Sequence, residues 1–195
     1  GPCPDGVVAA SATFTPLKSG SDRRVAVVSA AEGATLIHLA DLKGGVAPAK
    51  ILAASVPGFV PAPNCSPAIR AEPDGSTVVS ALILPKPTST ELSVAEIKFN
   101  ELGAPLGDPK VEALATLPAP IVSGAVGYRF VTSRPMIRNF AVLLANASLW
   151  HKGTEDEPMT PRGIPAAPFQ LLICRHCTYF VSANPVEGLI LEATS

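Results

Sequence analysis

Cys174 and Cys177 stand three apart in "CRHC", and the chain holds only two further cysteines, Cys3 and Cys65. A CxxC pair on a tight turn brings both sulfurs to one side, where they bind zinc or exchange disulfides. Here the flanks "FQLLI" and "TYFVS" read as strands, and along a strand positions i and i+3 face opposite ways. No second CxxC supplies further ligands. The expectation is ordinary thiols at a strand turn, with a four-cysteine zinc site and a redox pair as the alternatives. No metal and no cofactor is assigned.

The other residue types with catalytic potential are scattered. His38 sits in "TLIHLAD", where alternation with Leu36 and Ala40 points it inward, as a satisfied core or rim histidine. His151 follows Trp150 and precedes Lys152-Gly153, a strand end near solvent. Neither has an acidic residue at a motif spacing, so no triad is argued. No serine occupies a G-x-S-x-G elbow, and "GAVG" at 124–127 lacks the Lys-Ser/Thr of a phosphate loop. The acceptors Asn64-Cys65-Ser66 and Asn146-Ala147-Ser148 read as coincidental, Asn146 falling within an expected strand.

These residues must be positioned by a chain of 195 residues that is 47% apolar and 16% charged, enough to bury one core. A net charge of −1, with no Lys/Arg block longer than Arg23-Arg24, excludes the basic stripe of a nucleic-acid surface. No apolar run reaches the length of a membrane span. The opening "GPCPDG" lacks the basic and apolar regions of a secretory signal, and Gly1-Pro2 matches a protease-cleavage scar. Compartment stays open, with a lean to the intracellular. Twenty-one prolines and fifteen glycines leave long helices few places to sit. Residues 136–150, "MIRNFAVLLANASLW", run far enough without either to suggest one.

The remainder reads as strands. "SPAIRAEPDGSTVVSALIL", residues 66–84, places a Pro-Asp-Gly corner between two apolar runs. Gly tolerates positive φ there and Asp bonds its own backbone, so the runs become antiparallel neighbours. "ELSVAEIKF" and "KVEALATLP" follow, completing a four-strand meander. The same order precedes it in "GVVAASATF", "RRVAVVSA", "ATLIHLADL" and "AKILAASVP", with a period near 60 residues. A third pass runs "VGYRFVTS", "NFAVLLANA", "SLWHKG" and, after an excursion, "FQLLICRH"; "CTYFVSAN" and "GLILEATS" close the chain.

A recurring four-strand meander is the signature of a propeller blade. These residues resemble the WD40-like and YVTN-like β-propeller superfamily, at the level of architecture, since the WD dipeptide and the GH pair are absent. The resemblance implies an all-β fold over 3–195, with blades near 7–57, 66–118 and 124–176 and a partial blade at 177–195. Such a chain is a compact four-bladed ring or part of a larger one. A β-sandwich is the alternative fold, and an α+β domain with a true helix at 136–150 the third.

The segment 151–168, "HKGTEDEPMTPRGIPAAP", differs in kind, with an acidic cluster and four prolines. It reads as a partner-facing excursion outside the core, gripped through Glu155, Asp156, Glu157 and Arg162. The leading functional expectation is a non-enzymatic scaffold that binds protein partners within a larger assembly. Self-association, or pairing with another propeller segment, stays open; nucleic acid and a membrane span are not expected. The alternatives are a secreted or periplasmic enzyme or ligand-binding propeller, whose inner strands offer Arg70, Glu72 and Arg129, and a β-sandwich adhesion domain tied by a Cys3–Cys65 disulfide.

Overall fold

The computed structural model describes residues 7–16, 23–42, 51–131, 134–153, 157–162, 168–173, 178–184 and 188–194. Those residues are all-β, and no helix occurs among them. Residues 136–150 are strand, turn and strand, which corrects the helical alternative. "NFAVLLANASLW" folds as a hairpin because Asn146 and Ser148 build a turn inside it. Asn146 Oδ1 accepts from the Ser148 amide at 3.1 Å and from its hydroxyl at 2.6 Å. Asn146 is therefore an exposed turn residue, and the expectation that it lies inside a strand is also corrected.

The first sheet is an antiparallel meander of β1 (Val7–Pro16), β2 (Arg23–Ala31), β3 (Ala34–Leu42) and β4 (Ile51–Pro57). The chain then passes through β5 (Val60–Pro61) and β6 (Cys65–Ser66) into β7 (Ala68–Ala71), β8 (Thr77–Leu84), β9 (Glu91–Phe99) and β10 (Lys110–Thr116). β7 to β10 form a second antiparallel meander, with β5 added beside β8. The Pro-Asp-Gly corner does what its chemistry requires. Gly75 takes φ 84° and donates to Glu72 O at 3.0 Å, while Asp74 Oδ1 accepts the Ser76 amide at 2.9 Å.

β11 (Ile121–Val131), β12 (Arg134–Leu144), β13 (Leu149–Lys152) and β14 (Thr160–Arg162) make the third meander, and β6 pairs parallel with β11. Here the expected strand order fails. β14, opposite Leu149–His151, is the fourth strand, whereas β15 (Pro168–Ile173) opens a further sheet with β16 (Thr178–Asn184) and β17 (Gly188–Thr194). A three-residue strand with Pro161 at its centre carries no strand signature, yet proline is tolerated at a sheet edge, where its missing N–H breaks no ladder.

Alternation along the strands shows how the sheets stack. Val79, Ala81 and Ile83 of β8, with Ala95, Ile97 and Phe99 of β9, pack against Ala26, Val28, Ile37, Leu39, Ala54 and Val56 of the first sheet. The intervening Leu82, Leu84, Leu92 and Val94 pack the other way, against Val126, Phe140, Val142 and Leu144 of the third. All eight residues of β8 are consequently buried. Ala125, Ala141 and Leu143 face away from the second sheet, on the side where β15 lies against β11 and β12. The opening strands β1, β7, β11 and β15 of successive sheets lie side by side.

Candidate functional site

Antiparallel pairing sends the β7–β8 and β9–β10 connections to one end of the second sheet, and Tyr128 of β11 and Arg138 of β12 lie against that end. The second sheet's face toward the third is apolar along most of its length. At this end it turns polar, because Arg70, Ser80, Glu96 and Lys98 interrupt the apolar alternation of β7, β8 and β9.

These side chains form a continuous chain of contacts. Arg70 Nε lies 2.5 Å from Glu72 Oε1, and its guanidinium stacks over the Tyr128 ring at 4.8 Å. The Tyr128 hydroxyl is 2.8 Å from Ser80 Oγ, which donates to Glu96 Oε2 at 3.4 Å. Arg138 on β12 spans two carboxylates, 3.5 Å from Glu96 Oε2 and 2.8 Å from Glu112 Oε2. Burial pushes the Tyr128 phenol up to about 12, the Ser80 hydrogen bond opposing it. The phenol therefore stays neutral throughout the physiological range.

Beside this network opens a cleft of about 260 Å³ lined by Arg70, Glu72, Val78, Glu96, Lys98 and Lys110, with Leu106 and Asp108 at its rim. Its charges alternate in sign, and Lys98 is committed to Asp74 at 2.9 Å. Hydrogen bonds from Ser76 and Lys98 hold the Asp74 carboxyl well below the usual carboxylate range. Such a lining offers no uniform field for a charged substrate.

The β9–β10 connection borders this cleft and is built rigidly. Asn100 donates its amide to Ala104 O at 2.8 Å and accepts the Ala104 amide through Oδ1 at 2.9 Å. Gly103 donates to Asn100 O at 2.9 Å, and Leu106 to Lys98 O at 2.7 Å. From the first sheet, the fully buried Arg24 guanidinium donates to Thr77 Oγ1 at 2.9 Å, to Asn100 O at 3.3 Å and to Glu101 O. Leu102, between these anchors, is 82% exposed.

A serine–histidine pair also exists. Ser29 Oγ is 2.7 Å from His38 Nε2 across β2 and β3. Both side chains are buried, and burial lowers the His38 pKa, so the imidazole is neutral at pH 7. At 1% exposure the Ser29 hydroxyl is closed to a substrate, and the pair satisfies two polar groups within the sheet.

Of the residues singled out in the sequence, Arg70 and Glu72 are brought together, and the Arg129 side chain lies outside the described residues. Glu157 is exposed, Arg162 closes β14 opposite Leu149, and Glu155 and Asp156 lie outside the described residues. The expectation that 151–168 stands clear of the core is corrected in part. Met159 is buried in the cluster between the second and third sheets, because the β13–β14 hairpin folds it back over them. Cys65 is a free, buried thiol whose pKa burial pushes far up; Cys3, Cys174 and Cys177 lie outside the described residues. Among the described residues no group of three or more His, Cys, Asp or Glu is placed to hold a metal, and no helix is long and apolar enough to cross a membrane.

Sequence reasoning missed Arg24, Ser80, Glu96, Tyr128 and Arg138. A signal was present for two of them. Ser80 and Glu96 are polar interruptions of apolar strands, and antiparallel pairing sets them directly opposite. No protein-family model matches the chain, and no curated protein matches it.

Proposed function

We propose that this chain is a β-propeller-like module that binds protein partners through the connections gathered at one end of its sheets. The observation that carries this reading is the combination of face-to-face stacked meanders and a rigid, hydrogen-bonded β9–β10 connection that leaves a leucine in solvent. Rigid sheets hold such connections in fixed relation, and their sequence can vary without disturbing the core. Adjacency of the opening strands β1, β7, β11 and β15 supports a radial arrangement of blades about a common axis.

The scaffold reading is favoured over an enzyme because Arg70, Asp74, Glu72, Glu96, Lys98, Glu112 and Arg138 at this end are engaged in ion pairs with one another. The buried free thiol of Cys65 withdraws the disulfide that would favour an adhesion sandwich.

A photo-crosslinking amino acid placed in living cells of the source organism tests the proposal. Asp74, Leu102 and Glu157 would be replaced at one end, and Glu32 and Lys86 at the other, all exposed positions. Discrete crosslinked protein species from the first set, with few from the second, are expected. Absence of any such species from every position, or turnover of a small molecule by the purified chain that depends on Arg70, overturns the proposal.

A further inference from the structure

We draw no further inference here: the strongest candidate, the mixed-charge cleft beside the β9–β10 connection with the exposed Leu102 and Leu106 near its rim, belongs to the site already described, and nothing in the structure shows what covers it.

Discussion

Gly124 shows how narrowly some single positions are constrained. β6 runs parallel to β11 there, with Cys65 opposite Gly124, and Asn64 O accepts from the Gly124 amide at 3.3 Å. A Cβ on Gly124 would come within 2.8 Å of Cys65 Sγ, 2.9 Å of Val142 Cγ1 and 3.0 Å of Ala141 O. Two of those atoms belong to the core and one to backbone, so little can yield. Gly124→Ala should cost roughly 2–3 kcal/mol in chemical denaturation, and pairing it with Cys65→Ala should recover only part. A neutral Gly124→Ala would show that β6 is not held in this register. His38 makes a different kind of claim. Its folded pKa lies below that of the free imidazole, near 6.5. The unfolded chain therefore binds the proton first as pH falls, and stability present above about 6.5 declines toward the lower folded value. His38→Gln keeps a hydrogen-bonding group near Ser29 without the titration. Denaturation midpoints at pH 7.5 and 5.5 should differ more for wild type than for this variant, and equal differences would remove His38 from the pH response.

At the scale of elements, the β12–β13 hairpin carries a correctable flaw. Ala147 sits at φ 62°, a conformation that favours glycine, because the Ala147 amide must turn back to Leu144 O at 2.9 Å. Ala147→Gly relieves the strain but adds freedom to the unfolded chain, so a net gain of about 0.5 kcal/mol is expected in urea denaturation. A loss would mean the turn is not strained. Met159 precedes β14, and its burial makes the hairpin part of the core; Met159→Ala should cost about 2–4 kcal/mol. Strands with period-two alternation or turn residues at both ends were legible beforehand, which is why β3 and β9 coincide with the runs read from sequence. β14 was not, because its stability comes from pairing with β13 and from Met159 packing, neither of which leaves a local pattern. The candidate site was less legible still. Arg24, Thr77 and Asn100 are far apart in sequence and meet only through stacking of two sheets.

For the whole molecule, the decisive feature is that the second sheet is covered on both faces. Leu82 belongs to the cluster shared with the third sheet and Ile83 to the cluster shared with the first. Each side chain fills a different inter-sheet space, so Leu82→Ala and Ile83→Ala should each cost about 2–5 kcal/mol by cavity formation. Val111→Ala, on the half-exposed edge strand β10, should stay within about 0.5 kcal/mol. The two core positions should also act through the same transition. The first and third sheets are joined mainly through the second, with β1 also touching β6, so opening either inter-sheet space exposes a face of β8 and β9, and local unfolding should not stop there. Native-state hydrogen exchange reads this directly. Amides of β8 and β9 should exchange slowest and with the free energy of global unfolding, those of β12 close behind, and those of β10 and β14, at sheet edges, earliest. Under Leu82→Ala and under Ile83→Ala the slowest amides should lose protection by the same amount as global stability falls. Slow exchange that survives in the first sheet under Leu82→Ala, while the third sheet loses protection, would show that the sheets open independently, and the stack would then be a row of separable units.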